Sequence, residues 1–315
     1  MKRALLRPRA LHSERVRLGG AAGGRGPSWR GPSCARELFC ERVRSGGGRG
    51  GCLPAPTLLR QNPATAVSLK VAILAAGRGT RLSPLTDERP KALVPVGDSS
   101  PLELLFATLA SHRAISEVVL VVGHARDRIE EFLGARRFPF PVRRIFNPRY
   151  EAANNIESAA LLSEIADDGF VLVNSDVILD PEIMGDVLSA SSESFLVVDP
   201  TRPPRDEAMK VRYRSERLVA IGKQLDAATA DGEYIGVARF DPEGARAFLL
   251  AIEDIVSRGG SQEWYEAAIG QAAAAVSIAR RSTAGRAWIE IDDPGDLARA
   301  EREVLARLRP PRTTG

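Results

Sequence analysis

Apolar residues follow two different periods along this chain, and the period changes from segment to segment. From Leu69 onward, short runs of consecutive apolar, β-branched residues predict buried strands, and apolar positions three or four residues apart predict helices. In the first half the strands are predicted at 71–74, 116–123, 142–146 and 169–176, and the helices at 125–134 and 154–165. This alternation predicts an α/β fold with a mostly parallel sheet and helices on both faces.

The pattern changes after Glu193, where shorter β segments follow one another. Strands are predicted at 194–200, 209–214, 217–223, 234–240, 276–281 and 287–291, and helices at 241–256, 262–275 and 294–308. No internal repeat is evident. We interpret residues 67–308 as one continuous domain and residues 309–315 as a disordered tail.

Residues 1–66 differ from the rest in composition and charge. They contain thirteen Arg and Lys against three Glu, eleven of the 28 glycines and all three cysteines, with no sustained apolar period. Their net charge is therefore +10, so the whole-chain value of +4 leaves −6 for the remaining residues. We expect this Arg/Gly-rich segment to be disordered. An over-extended gene start, with translation beginning near Val67, is favoured over a targeting segment or a nucleic-acid-binding tail.

Composition narrows the class of protein further. With 315 residues, 44% of them apolar, the chain can bury a substantial core. The apolar runs of residues 1–66 are too short for a signal peptide or a membrane span. Cys34, Cys40 and Cys52 form no Cys-x-x-Cys pair and are joined by no His cluster, so neither a zinc site nor thiol chemistry is indicated. A cytoplasmic protein is the expectation.

The strongest chemical signal is LAAGRGTRL at residues 74–82, directly after the first predicted strand. Small residues there let backbone N–H groups approach a phosphate closely, and Arg81 and Lys91 add the positive charge that a triphosphate requires. The segment is not a Walker loop, because it lacks Gly-Lys-Ser/Thr. It is not a dinucleotide fingerprint either, because Leu82 stands where the third glycine belongs.

Together with PKALVPV at residues 90–96, this loop resembles the signature of the nucleotidyltransferases that make nucleoside-diphosphate derivatives. The resemblance implies a Rossmann-like, GT-A-like architecture and transfer of a nucleotidyl group from a nucleoside triphosphate to a small phosphorylated acceptor. It implies catalytic charges from Arg81, Lys91 and Lys210, with Mg²⁺ as cofactor. It also implies nucleotide binding by Ala75, Ala76, Gly77, Gly79, Thr80 and Arg81.

Two acidic segments are candidates for holding the metal. Asp176 follows the strand VLVN, and Glu290 and Asp292 alternate with apolar residues in WIEIDD, which predicts that they share one strand face. Mg²⁺ prefers such oxygen ligands. The resemblance implies Asp176 and Asp292 as the metal pair and Glu290 as a third ligand. Asp293 is out of phase and is predicted to cap the helix that begins at Pro294.

The segment from Tyr150 to Ser158 resembles the Y-x-x-x-NNI-x-S segment of bacterial phosphocholine cytidylyltransferases, and MKV, ADGEYIG and WIEIDDPGDL follow in the family's order. The resemblance covers residues 69–305 and implies an acceptor lobe in the C-terminal half. Asn154 is predicted to cap the helix that follows it. Lys210, or alternatively Lys223, is implied to meet the acceptor phosphate. The acceptor contacts implied are Tyr150, Asn155, Glu233 and Tyr234.

The chemistry of an acceptor such as choline adds a further expectation. A quaternary ammonium group is bound through aromatic faces and a nearby negative charge, and this chain offers Tyr150, Tyr234, Trp264 and Tyr265. We therefore predict a Mg²⁺-dependent cytidylyltransferase that acts on phosphocholine or a similar phosphorylated alcohol, without nucleic-acid or membrane partners. A sugar-1-phosphate nucleotidyltransferase and a non-catalytic nucleotide-binding subunit are the alternatives. The base of the nucleotide and the oligomeric state stay open.

Overall fold

A nine-stranded sheet forms the centre of the domain. The computed structural model describes residues 69–201 and 203–308, all within one unit spanning Gln61–Gly315. The expectations for residues 1–66 and 309–315 lie outside the described residues. The strands are β1 (Leu69–Ala75), β2 (Ile115–Val122), β3 (Val142–Phe146), β4 (Phe170–Asn174), β5 (Val177–Leu179), β6 (Phe195–Asp199), β7 (Lys210–Arg214), β8 (Arg217–Gly222), β9 (Gly232–Phe240), β10 (Ala279–Ser282) and β11 (Trp288–Glu290).

Helices connect and cover these strands. They are α1 (Pro101–Ala110), α2 (Arg126–Gly134), α3 (Asn155–Ala160), α4 (Pro181–Ser189), α5 (Pro242–Ser257), α6 (Tyr265–Ala272), α7 (Pro294–Arg299) and α8 (Ala306–Leu308). Short 3₁₀ turns occur at Thr80–Leu82, Lys91–Leu93 and Leu161–Asp168, and a π-helical segment, Ala300–Leu305, joins α7 to α8. None of the described helices combines the length and the apolar character that a bilayer-crossing segment needs.

The order of strands across the sheet is β10-β6-β9-β4-β1-β2-β3, and the β7–β8 hairpin pairs with β9. Strands β1, β2, β3 and β4 run parallel, as do β6 and β10. Strand β9 is antiparallel to both β4 and β6. The predicted α/β class with a mostly parallel sheet is therefore confirmed, and the antiparallel insertion of β9 is what the sequence pattern did not indicate.

The sheet is buried on both faces, as the predicted covering by helices requires. Side chains of β1 alternate between two apolar cores: Val71 and Ile73 pack in one, and Ala72 and Leu74 pack in the other. The first core includes residues of α1, α2 and α4, and the second includes residues of α3, α5 and α6. The glycine loop that follows β1 therefore emerges from a strand fixed on both sides.

A third apolar cluster lies outside the central sheet. It joins Leu82, Val94 and Val96 to Ile178 of β5 and to further residues from β11 and the C-terminal helical segment, namely Ile289, Ile291, Ala300, Val304 and Leu305. Strands β5 and β11 form a separate two-stranded antiparallel sheet. This cluster attaches both signature segments, LAAGRGTRL and PKALVPV, to the acidic strand end near the C-terminus.

Several element boundaries differ from the prediction. Helices α1 and α4 and strand β5 were not predicted, although Ser100 caps α1 and Pro101 is its first residue, both ordinary start signals. The predicted helix 154–165 changes from α to 3₁₀ after Ala160. The caps are confirmed: Asn154 caps α3, and Asp293 forms a capping box at the start of α7.

Candidate active site

The glycine loop after β1 is open on one side and tightly packed on the other. Gly77 has nothing within 4 Å of the position where a Cβ would stand, so its backbone faces open space. Gly79 has φ 63°, and a Cβ there would lie 3.0 Å from the Cβ of Lys91. Thr86 Oγ1 donates a hydrogen bond of 2.8 Å to the carbonyl of Gly79. The backbone of the loop is therefore accessible at Gly77, whereas at Gly79 the loop packs against Lys91.

Three carboxylates meet near the carboxyl end of β4. Oxygen atoms of Asp176, Glu290 and Asp292 all lie within 4.8 Å of one another. Main-chain contacts hold the arrangement, because Val177 pairs with Glu290 and the amide of Ile291 donates to the carbonyl of Asp176 at 3.0 Å. The fold thus brings together the three predicted metal ligands.

One detail of the acidic segment is corrected. Strand β11 ends at Glu290, so Asp292 does not continue the face of a strand as the alternation indicated. Its amide instead donates a 2.9 Å hydrogen bond to Asp296 Oδ2, at the start of α7. The helix cap, rather than strand geometry, therefore positions Asp292 beside the other two carboxylates.

Two predicted cations contact this acidic cluster. Lys91 Nζ lies 2.6 Å from Asp176 Oδ2 and 2.5 Å from Asp292 Oδ1. Arg81 Nη2 lies 2.9 Å from Asp292 Oδ1, and just over half of its side chain is exposed. The two signature segments thus place both positive charges next to Asp292 Oδ1.

The charges of the cluster shift one another's pKa values. Burial alone would lower the pKa of Lys91, but the carboxylates of Asp176, Asp292 and Glu290 raise it above its ordinary value. Burial, together with the negative charges of Asp176 and Asp292, raises the pKa of Glu290 to about 8. Burial alone would raise the pKa of Asp292, but Lys91 and Arg81 lower it below its ordinary value. The cluster therefore keeps Lys91 protonated and Asp292 ionised.

The donor atoms fit a divalent cation. Three carboxylates offer oxygen ligands within a small volume, which is the ligand type that Mg²⁺ prefers. Asp176 Oδ1 is buried and, among the described residues, has no hydrogen-bond partner, so one ligand atom is open. The residues present are therefore suited to Mg²⁺.

A cavity of about 390 Å³ connects the loop, the cations and the acidic cluster. All but two of the site residues predicted from the sequence line it. They are Ala75, Ala76, Gly77, Gly79, Thr80, Arg81, Lys91, Tyr150, Asn155, Asp176, Tyr234, Glu290 and Asp292.

Lys210 and Glu233 do not line this cavity. Lys210 is 2% exposed, and its Nζ donates to the backbone carbonyls of Asp206 and Lys223, each at 2.6 Å. Glu233 is 7% exposed and lines a second cavity together with Trp288. The geometry gives no support to a contact between either residue and the acceptor. Lys223, the alternative lysine, does line the main cavity.

Two of the predicted acceptor residues are also part of the internal framework. The Tyr234 hydroxyl lies 3.1 Å from the Tyr265 hydroxyl, which donates at 3.0 Å to Asn174 Oδ1. Asn155 Oδ1 accepts from the amide of Tyr265 at 2.9 Å. These contacts fix the start of α6 against β4 and β9. Tyr150, by contrast, is partly exposed at the cavity wall.

Sequence reasoning missed Glu266, which lines the cavity one residue after Tyr265. Burial raises the pKa of its carboxyl group to about 7, opposed by hydrogen bonding to its own backbone and to the Tyr265 side chain and, less strongly, by the positive charge of Lys223. A glutamate in the first turn of a helix is common because it interacts favourably with the helix dipole. Nothing local in QEWYEAAIG therefore distinguished it from a surface residue.

The fold and the site together define an α/β protein with an open glycine loop and a cavity at the carboxyl ends of its parallel strands, where proteins of this class bind phosphate-bearing ligands. The family model described as "Nucleotidyl transferase" matches residues 70–205. The CMP-5'-(3-aminopropyl)phosphonate synthase of Streptomyces rubellomurinus is 31% identical over 264 residues, which are 78% of this chain and 40% of that protein. Over residues 70–205 the chain therefore matches the nucleotidyl transferase family.

Two further comparisons extend this result. The bifunctional IPC transferase and DIPP synthase of Rubrobacter xylanophilus is 31% identical over 242 residues, covering 74% of this chain and 51% of that protein. The chain thus spans 40% to 51% of the length of these two relatives. The solved structure of the CTP:phosphocholine cytidylyltransferase from Streptococcus pneumoniae superposes with a TM-score of 0.59 at 23% identity, covering 75% of this chain and 98% of that one. That likeness confirms the fold.

Proposed function

We propose that this chain transfers a cytidylyl group from CTP to a small acceptor that carries a phosphate or phosphonate, with release of pyrophosphate. One observation carries the proposal. Lys91 and Arg81 form ion pairs within a cluster of three carboxylates, and this cluster lines the same cavity as the open glycine loop. This combination supplies what nucleotidyl transfer requires, namely a place for a triphosphate, positive charge and a cation site.

The reaction needs few proton transfers. An anionic oxygen of the acceptor attacks the α-phosphorus of CTP, a new P–O bond forms there, and the bond to the β-phosphate oxygen breaks. The acceptor oxygen is already ionised, so positioning and charge neutralisation account for the catalysis. Backbone N–H groups at Gly77 and Gly79 bind the phosphates, Arg81 neutralises the departing pyrophosphate, and Lys91 lies near the α-phosphate.

Asp176, Asp292 and Glu290 would hold Mg²⁺. When bound, the ion supplies positive charge that stabilises the transferring phosphoryl group. The pKa of Glu290, about 8 with only protein charges around it, would fall beside a divalent cation, because a nearby positive charge favours the ionised carboxyl.

The choice of CTP and of the acceptor class is supported by the relatives. The names of two of them refer to CMP or CTP and, beside it, to a phosphonate and to phosphocholine. We therefore extend the sequence-based prediction of phosphocholine to the wider class of small phosphate and phosphonate acceptors. The cytoplasmic location and the lack of nucleic-acid partners stay predictions.

The test is a pyrophosphate-release assay that crosses four nucleoside triphosphates with phosphocholine, 2-aminoethylphosphonate, inositol-1-phosphate and glucose-1-phosphate. We expect CTP to be the best donor and a non-sugar acceptor to be turned over. Efficient turnover of glucose-1-phosphate with no turnover of the other acceptors would replace this proposal with sugar-nucleotide synthesis.

The metal assignment has its own test. Asp176→Asn and Asp292→Asn should each lower turnover by more than about a hundredfold at saturating Mg²⁺, because each removes a charge that would hold the cation. Asp293→Asn is the matched control: it changes the neighbouring carboxylate, does not line the cavity and preserves an N-cap. Circular dichroism should show the same fold in all three variants. A wild-type rate in either of the first two would remove that residue from the metal site.

A further inference from the structure

One buried carboxylate of the main cavity has an oxygen atom without a partner. Glu266 is 5% exposed, lies in the first turn of α6 and lines the cavity. Among the residues that the structure describes, no hydrogen-bond donor reaches its Oε2. Buried polar atoms in native proteins are nearly always paired, so an exception in a residue that lines a ligand cavity indicates a ligand group.

The position of Glu266 is fixed from both sides. The amide of the preceding Tyr265 donates to Asn155 Oδ1 at 2.9 Å, and the Tyr265 hydroxyl donates to Asn174 Oδ1 at 3.0 Å. These contacts connect the start of α6 to α3 and to the end of β4. They therefore hold the backbone of Glu266 at the wall of the cavity.

The aromatic surface near Glu266 already holds a cation. Lys223 Nζ lies 4.7 Å from the centre of the Trp264 ring and 3.9 Å from Glu207 Oε2. Because the Trp264 face has a partner, what the site lacks is a hydrogen-bond donor at Glu266 Oε2. A quaternary ammonium group cannot donate a hydrogen bond, whereas a primary ammonium group carries three donors and a positive charge.

We propose that Glu266 binds the protonated primary amine of an aminoalkyl phosphate or aminoalkyl phosphonate and thereby selects the acceptor; this assignment rests on the nucleotidyl transfer proposed above. The two ends of such a zwitterion match the charges of the cavity. Its phosphoryl group is attracted to Lys91 and Arg81, and its ammonium group to Glu266. A sugar phosphate without a cationic group would leave Glu266 Oε2 unpaired.

The test uses three phosphate monoesters that share the reacting phosphate: 2-aminoethyl phosphate, phosphocholine and n-propyl phosphate. The first and last differ by an ammonium group in place of a methyl group. We would measure kcat/KM for pyrophosphate release with CTP, using the full-length protein, its Glu266→Gln variant and a Glu263→Gln control. Glu263 is an exposed carboxylate three residues earlier that does not line the cavity.

The wild type should prefer 2-aminoethyl phosphate over n-propyl phosphate by at least about 100-fold, since a buried carboxylate left unpaired penalises the analogue that lacks the ammonium group. Glu266→Gln should reduce that ratio by at least about 30-fold. Glu263→Gln should leave the ratio as in the wild type.

Other results would overturn the assignment. Equal use of 2-aminoethyl phosphate and n-propyl phosphate, or an unchanged ratio in Glu266→Gln, would show that Glu266 does not bind the amine. A preference for phosphocholine over 2-aminoethyl phosphate would exclude the primary amine. If no acceptor released pyrophosphate, the proposed transfer would be wrong, and calorimetric binding of 2-aminoethyl phosphate and n-propyl phosphate to the wild type and to Glu266→Gln would decide the Glu266 assignment separately.

Discussion

The buried carboxyl group of Glu266 makes the free energy of unfolding depend on pH. Burial raises its pKa from 4.5 to about 7 in the folded protein. The folded state therefore binds this proton more tightly than the unfolded state between these two values, so the group's contribution to stability falls as the pH rises through that window. Below about pH 4.5 the cost is absent, and above about pH 7 it is complete.

Glu266→Gln should remove this cost. Relative to the wild type, the variant should gain little stability near pH 5 and up to about 3 kcal/mol at pH 8. Urea unfolding at both pH values would measure the difference, with Glu263→Gln as the exposed control. A gain that is the same at pH 5 and pH 8 would show that the Glu266 carboxyl titrates normally. A residue that lowers stability in the free protein and lies in its cavity is typical of a binding site.

At the scale of an element, the two glycines of the loop after β1 have different roles, one structural and one in ligand access. Gly79 is in the left-handed region with φ 63° and touches Lys91, whereas Gly77 faces open space. Gly79→Ala should lower the free energy of unfolding by about 1–2 kcal/mol, because the new Cβ is strained by the backbone and meets the lysine side chain. Gly77→Ala should leave stability unchanged and raise the KM for CTP, because its Cβ would enter the cavity that we propose as the CTP site.

Thermal unfolding and CTP titration of both variants would separate these roles. The matched pair is informative because each variant adds the same methyl group two residues apart. Equal loss of stability in the two would mean that the loop is held differently from the structure described. An unchanged CTP KM in Gly77→Ala would place the triphosphate away from this backbone.

Residues whose role depends on a single local element could be predicted from the sequence. The glycine loop and Lys91 are local signals, and Asp176 follows from the rule that ligands gather at strand ends. Lys210 and Glu233 depend on contacts that no local pattern encodes: backbone carbonyls of residues 206 and 223 surround the lysine, and the insertion of β9 between β4 and β6 buries the glutamate. Glu266 was missed because its burial comes from the packing of α6 against distant segments.

At the scale of the whole molecule, the described residues form a nine-stranded sheet and three apolar clusters. A truncated chain that begins at Val67 should therefore fold and keep full turnover. Urea unfolding and the pyrophosphate assay, compared with the full-length chain, would measure this. A truncated chain that unfolds, or turns over more slowly, would show that residues 1–66 contribute to the domain and would contradict the sequence-based prediction for them.

The third apolar cluster has a consequence for how the protein is made. Lys91 and Asp292 are 201 positions apart, and Leu82, Val94 and Val96 pack on residues near the end of the chain. At a synthesis rate of about 5–20 residues per second, the glycine loop leaves the ribosome roughly 10–40 s before its partners do. During that interval Leu82, Val94 and Val96 lack the C-terminal residues against which they pack. A nascent chain therefore exposes a defined apolar surface to chaperones. The proposed nucleotide site is completed only when α7 and α8 leave the ribosome, and a ribosome stalled before that point would carry the central strands without a complete site.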